Sequence, residues 1–145
     1  MRSLLRTVVA FLGASQMAQE ADAVKILMAG DFDVDQRPFF TSVADAIVES
    51  TEYDNTVYVL STDLPAQKIE KVSDRLFKYG VGTERVFKKE CKASETENYE
   101  RLDLETAEMY FKNQVMLQEL KGLGFELGIG GINYADSLLF RHLGI

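Results

Sequence analysis

Three aspartates alternate with other residues in one short polar segment of the chain. Asp31, Asp33 and Asp35 lie in "GDFDVDQRP", directly after the apolar run "VKILMA". This spacing is typical of a calcium loop, but an EF-hand also needs a glycine at its sixth position and a glutamate at its twelfth. This chain has Gln36 and Ser42 there, which excludes the EF-hand. The aspartates remain candidates to cap a helix or, for Asp31 and Asp33, to bind magnesium in a phosphotransfer domain.

The other reactive residue types are single or wrongly spaced. The glycines of "GIGG", at 128–131, lack the G-x-G-x-x-G spacing of a dinucleotide-binding loop and indicate a tight turn after a strand. His142 is the only histidine, and it falls in the last turn of a predicted helix, where a cation stabilises the helix dipole. Cys91 is the only cysteine, which excludes an internal disulfide and a zinc cluster. Its charged neighbours indicate an exposed loop thiol.

Apolar patterns predict the elements that position these residues. Continuous apolar or β-branched runs predict three strands, at 24–29, 56–61 and 125–129. Helical spacing of apolar residues predicts one helix at 39–50 and another at 134–145. Pro38 lies where the first turn of a helix tolerates its missing N–H. Each predicted helix therefore follows a predicted strand after a short polar loop.

The middle of the chain is less regular. Helical spacing predicts an amphipathic helix over 64–80, ended by a glycine. Its inward face would consist of Ile69, Val72, Leu76 and Tyr79. The segment "ERVFKKE", at 84–90, is compatible with a short strand, and the polar segment 92–103 predicts a loop. A long amphipathic helix is predicted from about Leu104 to the glycine pair that begins at Gly122.

The alternation of strands and helices predicts an α/β fold in which residues 24–145 form one Rossmann-like domain. Its sheet would be mostly parallel and flanked by helices. Ligands of such sheets bind beyond the carboxyl ends of the strands, here at "GDFDVDQRP", "STDLP" and "GGINYAD". The final "HLGI" predicts a helix end, a glycine turn and the first residue of a further strand. We therefore expect the domain to be truncated at its C-terminal end.

The first 23 residues differ from the rest. Arg2 and Arg6, the apolar residues 7–14 and the "ADA" at 21–23 fit the three-part pattern of a secretory signal. This pattern predicts the endoplasmic reticulum lumen or secretion; an amphipathic helix packed on the domain is the alternative. No other segment approaches the length of a membrane span. The net charge of −7, without a basic cluster, argues against a nucleic-acid partner.

Two stretches resemble UDP-glycosyltransferases of the glucuronosyltransferase type, which have the GT-B fold. The stretch "VKILMAGDFDVDQRPFFTSVADAIVESTEYDNTVYVLSTD" resembles the family's opening strand, histidine loop, "ADAL"-like helix and "VTVL"-like strand. The stretch "MLQELKGLGFELGIGGINYADSLLFRHLGI" resembles the end of the same N-terminal half. The resemblance implies a Rossmann-like N-terminal domain that binds the sugar acceptor.

The same resemblance implies the partners and the site. The acceptor would be small and lipophilic, and the UDP-sugar donor would need a C-terminal domain or a separate chain. No cofactor is implied in this chain, and a membrane would be reached only through a C-terminal anchor. In the family a loop histidine is the general base on the acceptor hydroxyl, and an aspartate after a later strand orients it. Acceptor contacts would fall on Asp33, Gln36, Asn133 and Tyr134.

Both catalytic positions depart from the family. Asp35 holds the histidine's position, three residues before the proline, and Gly131 holds the aspartate's. An exposed aspartate, with an ordinary pKa of about 4, is a far weaker base than histidine. Asp136 is near enough in sequence for a shifted alignment, but it would start a helix and could simply cap it. We therefore expect an acceptor-binding half that is inactive alone or active only with a separate nucleotide-binding chain.

Two other functions remain open at this point. The first is a non-catalytic secreted α/β module that binds an apolar ligand or a protein. The second is the magnesium-dependent phosphotransfer domain, with Asp31 and Asp33 on the metal. It is weakened by the signal-like start and by the lack of a suitable acidic residue after the second of its expected strands.

Overall fold

The computed structural model describes residues 23–30, 37–50, 52–82, 92–131 and 134–145. These residues form a mixed five-stranded sheet and four helices. In chain order the elements are β1 (Lys25–Met28), α1 (Arg37–Glu49), β2 (Thr56–Ser61), β3 (Ile69–Lys71), β4 (Leu76–Gly80), α2 (Glu95–Lys112), α3 (Gln114–Gly122), β5 (Leu127–Ile129) and α4 (Tyr134–Leu143). The predicted α/β class with a mostly parallel sheet is confirmed, as are the three predicted strands.

The strand order is β3-β4-β2-β1-β5. β1 lies between two parallel neighbours, with Ile26 opposite Val57 of β2 and Leu127 of β5. β2 also pairs in parallel with β4, whereas β3 runs antiparallel to β4 at one edge. β1, α1 and β2 form a βαβ unit, as the sequence predicts. The chain continues from β2 towards β4 and later returns to the opposite side of β1, where β5 lies.

The two faces of the sheet are covered by different helices. Because side chains alternate along a strand, Ile26 and Met28 of β1 point to the face covered by α1. Phe40 and Ala44 lie one helical turn apart and bury the inner face of α1 there. The side chains of Leu27 and Ala29 point to the other face. Helices α2, α3 and α4 cover that face through Tyr110, Met116, Leu117, Leu120, Ala135 and Leu139.

Two partly buried polar contacts join the sheet to its helices. The Tyr79 hydroxyl of β4 donates a hydrogen bond of 2.5 Å to the carboxylate of Glu119 in α3. At the opposite face, the Arg75 guanidinium donates to the backbone carbonyls of Val48, Ser50 and Tyr53. These carbonyls lie at the end of α1 and in the loop that follows it. Arg75 therefore satisfies acceptors that the helix end would otherwise leave open.

The predicted helix over 64–80 is wrong. That segment contains the antiparallel pair β3–β4, in which Ile69 lies opposite Tyr79. Leu76 and Tyr79 point to opposite faces of the sheet, so their helix-like spacing does not reflect one buried stripe. Ile69 and Val72, which the helix would bury, are about half exposed, at 46% and 50%. The pairing of β4 with β2 thus overrides the local apolar spacing.

The predicted loop over 92–103 is also wrong, because α2 begins at Glu95. Its start is a capping box: the Ser94 hydroxyl accepts from the Glu97 N–H, and the Glu97 carboxylate accepts from the Ser94 N–H. The long helix predicted from Leu104 is two helices instead. Asn113 separates them, and its side chain caps α3 by accepting from the Met116 N–H. The segment predicted as a strand, at 84–90, lies outside the described residues.

Candidate functional site

The adjacent strands β1 and β5 lead into helices on opposite faces of the sheet. After β1 the chain reaches α1 on one face, and after β5 it reaches α4 on the other. In doubly wound sheets this arrangement opens a crevice beyond the carboxyl ends of the two strands, and ligands bind in it. We refer to this region as the strand-end crevice. Its described margins are Gly30, the start of α1, the turn at 130–131 and the start of α4.

The margin formed by α1 is fixed by a glycine and an arginine. Gly30 has a positive φ of 132°, and a Cβ there would lie 2.4 Å from the Phe40 ring, so any other residue would strain the backbone and displace Phe40. Arg37 reaches across to the end of β2. Its guanidinium donates to the Asp63 carboxylate at 3.2 Å and to the Thr62 hydroxyl at 3.2 Å. The start of α1 and the loop after β2 are thereby joined at one edge of the sheet.

At the margin formed by α4, a carboxylate from another helix occupies the helix N-terminus. The two oxygens of Asp103, in α2, accept hydrogen bonds from the backbone N–H groups of Tyr134 and Ala135, at 3.0 and 2.6 Å. These are two of the amides that the first turn of a helix leaves without an intrahelical partner. A negative charge there is also stabilised by the helix dipole. Asp103 therefore caps α4 from a distance in sequence.

A second carboxylate lies buried just inside this cap. Asp136 is 1% exposed; it accepts a hydrogen bond of 2.8 Å from the Tyr110 hydroxyl of α2 and one of 3.0 Å from the Gly131 N–H. Burial raises the pKa of Asp136, and repulsion by Asp103 adds to the increase, while the two hydrogen bonds oppose it. Burial and the nearby carboxylate also raise the pKa of Tyr110 well above its ordinary value.

The turn after β5 has no room for side chains. A Cβ on Gly130 would lie 2.9 Å from the Asp136 Cβ and 3.0 Å from the Phe140 ring. At Gly128 a Cβ would lie 2.6 Å from the Phe140 ring. Helix α4 therefore packs directly on the backbone of the strand end. This close approach explains why Gly128 and Gly130 of "GIGG" carry no side chain.

Aromatic side chains lie exposed at both margins of the crevice. Phe39 in the first turn of α1 is 65% exposed, and Tyr134 at the start of α4 is 80% exposed. Tyr99, one helical turn before Asp103 on α2, is 55% exposed. The helices that carry Phe39 and Tyr134 both begin at the carboxyl edge of the sheet. The crevice therefore combines apolar rings at its surface with carboxylates at the base of α4.

The structure describes two of the residues that the sequence assigns to the site. Gly131, at the family aspartate's position, contributes its backbone N–H to Asp136, and Tyr134 is exposed at the crevice. Asp136 does not start α4, as the sequence suggests, but lies within its first turn and is buried. The other predicted site residues lie outside the described residues: Asp31, Asp33, Asp35, Gln36 and Asn133. The same holds for Cys91 and for 1–22, which include most of the predicted signal.

Sequence reasoning does not find Asp103 or Tyr110. Both lie on one face of α2, two helical turns apart, and both contact the start of α4. Asp103 falls in the segment interpreted as a loop, so its position on a helix is hidden. The S-E-T-E sequence at 94–97 is the signal that could reveal that helix. No sequence signal links Asp103 to α4, because the contact depends on tertiary packing.

Two further expectations can be compared with the described residues. His142 lies in the last turn of α4, where its ring meets the Phe111 ring edge to face at 5.7 Å, away from the crevice. This is the structural position that the sequence indicates. Within the described ranges, no group of three or more His, Cys, Asp and Glu side chains is arranged to hold a metal ion. No helix in the same ranges is long and apolar enough to cross a membrane.

Comparisons of the chain with protein-family models, with curated proteins and with solved structures found no match. Function is therefore inferred from the chemistry of the crevice.

Proposed function

We propose that this chain is the acceptor-binding half of a UDP-glycosyltransferase-like protein and transfers no sugar on its own. The observation that carries the proposal is the occupied N-terminus of α4. In dinucleotide-binding sheets, the helix N-terminus at the strand-order reversal holds the pyrophosphate. In this chain Asp103 already binds the corresponding amides, and Asp136 lies directly behind it. A phosphate would have to displace one carboxylate and approach another.

Electrostatic repulsion therefore favours an uncharged ligand in the strand-end crevice. Two carboxylates at the base of α4 repel a nucleotide diphosphate, and the amides that could offset this repulsion are already bonded. The exposed rings of Phe39 and Tyr134 suit a flat apolar molecule instead. A small lipophilic alcohol or phenol fits this combination. The UDP-sugar would then be held by a C-terminal domain or by a separate chain.

The lack of activity by the chain alone follows from the two substituted positions. Gly131 has no carboxylate with which to orient a base, and its N–H is committed to Asp136. Asp35 would be a weak base in place of a histidine. Neither position supplies the proton acceptor that transfer to a hydroxyl requires. Binding is therefore the expected function, and catalysis would need groups from a partner.

Calorimetric titration of the full chain with 1-naphthol and with UDP-glucose tests the proposal. We expect saturable binding of 1-naphthol and no heat from UDP-glucose. Tyr134→Ser should weaken naphthol binding by about tenfold, because stacking on one aromatic ring contributes roughly 1–1.5 kcal/mol. Tyr53→Ser is the matched control, since Tyr53 is an exposed tyrosine before β2, at the opposite edge of the sheet. Equal losses in both variants, or tight binding of UDP-glucose, would overturn the assignment.

A further inference from the structure

The buried carboxylate of Asp136 has an unusual set of neighbours. Each of its two oxygens accepts from a different element: Oδ1 from the Tyr110 hydroxyl of α2 and Oδ2 from the Gly131 N–H of the strand-end turn. One side chain thus fastens the turn to both α4 and α2. Glycine has more backbone freedom than other residues, so this contact adds to the packing of Phe140 in holding the segment.

Among the described residues, the charged and titratable groups that act on Asp136 come from one helix. Helix α2 contributes Tyr110, in direct contact, and Asp103, whose charge acts on Asp136. Strand β5 and the described part of its turn contribute only glycine, leucine and isoleucine. Phe140 of α4 packs on that turn from the same side as Asp136. Among the described residues, a partner cation for Asp136 is not found in these contacts.

We propose that Asp136 is a proton-linked clamp on the turn between β5 and α4. As a carboxylate it holds the Gly131 N–H through a charge-assisted hydrogen bond, and uptake of one proton converts this bond into a weaker neutral one. The clamp is a property of the fold and stands independently of what the crevice binds.

The proton balance identifies the atom that accepts the proton. A proton on Oδ2 would face the Gly131 N–H, which is also a donor, so that position is unfavourable. A proton on Oδ1 can be donated to the Tyr110 oxygen once the phenol hydroxyl rotates away. Oδ2 then remains a carbonyl acceptor for the Gly131 N–H. Charge-assisted hydrogen bonds are roughly twice as strong as neutral ones, so the hold on Gly131 weakens.

Burial and the repulsion from Asp103 raise the pH at which Asp136 takes up its proton above the range that is ordinary for an aspartate. Both raise the pKa of Asp136, so the buried group takes up its proton at a higher pH than an exposed aspartate does. Folding therefore favours the neutral form. This difference in pKa adds to the free energy of unfolding. The contribution is fully present below the unfolded-state pKa, and it is lost as pH rises through the folded-state pKa.

The amide proton of Gly131 reports the clamp directly. In nuclear magnetic resonance spectra of the full chain recorded from acidic to neutral pH, its chemical shift should titrate with a midpoint above the ordinary aspartate pKa. Asp103→Asn removes the repulsion and should lower the midpoint. Tyr110→Phe removes a bond that favours the charged form and should raise it. Asp45→Asn, at an exposed site on α1, is the control and should leave the midpoint unchanged.

The opposite directions of the two variants distinguish a clamp from general acid unfolding. A Gly131 midpoint at or below the ordinary aspartate value would overturn the proposal. So would a Gly131 titration that persists in Asp136→Asn, where the group that binds the proton is gone. If Tyr110→Phe does not fold, the carboxyl carbon of Asp136 is followed by ¹³C in the unsubstituted chain and in Asp103→Asn. Its midpoint must then coincide with that of Gly131.

Discussion

Removing the Asp103 carboxylate should detach the start of α4 from α2. In Asp103→Ala, the N–H groups of Tyr134 and Ala135 lose their acceptor, and the helix dipole loses its counter-charge. Helix N-cap substitutions cost about 1 kcal/mol and at most about 2 kcal/mol. We take the upper figure, because one carboxylate here binds two amides. Relief of the repulsion on Asp136 offsets a small part of this loss.

Thermal and urea unfolding measure this effect. A loss of about 2 kcal/mol corresponds to a fall in Tm of roughly 8 °C for a domain of this size. Asp103→Asn keeps one acceptor oxygen and should lose about half as much. Ser94→Ala is the comparison, because it removes an exposed cap at the start of α2 that bonds only within its own helix. We expect Ser94→Ala to cost about 1 kcal/mol or less.

A loss of stability in Asp103→Ala no larger than that in Ser94→Ala would refute the capping role of Asp103. Such a result would mean that the amides of α4 are satisfied equally well by water, and that Asp103 does not block the helix N-terminus. The electrostatic argument against a nucleotide in the crevice would lose its basis at the same time.

Three further predictions concern contacts around the sheet. Gly80→Ala should lower the free energy of unfolding by about 3 kcal/mol or more in urea, since its Cβ would lie 1.9 Å from the Pro65 carbonyl oxygen. Gly122→Ala is the control and should be nearly neutral, because a Cβ there meets open space. Burial and a carboxylate partner raise the pKa of Tyr79, so stability should fall as pH rises above about 10. Tyr79→Phe should reduce that fall, and the pKa of Tyr110, which is also raised, accounts for a remaining part. Arg75→Met should lower the free energy of unfolding by about 1–2 kcal/mol in thermal unfolding, because it removes the hydrogen bonds to the Ser50 and Tyr53 carbonyls.

The parallel part of the fold can be predicted from the sequence because its signals are local. The strands β1, β2 and β5 are short apolar runs, and α1 and α4 carry apolar residues at helical spacing. Phe40 of α1 and Leu139 of α4 belong to this apolar pattern and are buried. Leu138 belongs to the apolar pattern too but is 46% exposed, because only one side of α4 meets α2 and the sheet.

The remaining elements depend on contacts between distant residues. Strand β4 is a strand because it pairs with β2, and its apolar spacing also fits a helix. The start of α2 is polar, so only its capping box distinguishes it from a loop. The residues of the site also differ in whether local sequence or distant contacts reveal them. The glycines after β5 are evident in the sequence, whereas Asp103 and Tyr110 contact the start of α4 only through the packing of α2 on α4.

The most direct test of the central claim is chemical-shift mapping of the two ligand types on the labelled full chain. With 1-naphthol we predict shifts of the amide signals of Gly30, Phe39, Gly131 and Tyr134, and none at Tyr53. With UDP-glucose we predict no change at any of these amides. Shifts at the strand-end crevice caused by UDP-glucose, or naphthol shifts confined to other surfaces, would contradict the claim that this crevice binds an uncharged acceptor.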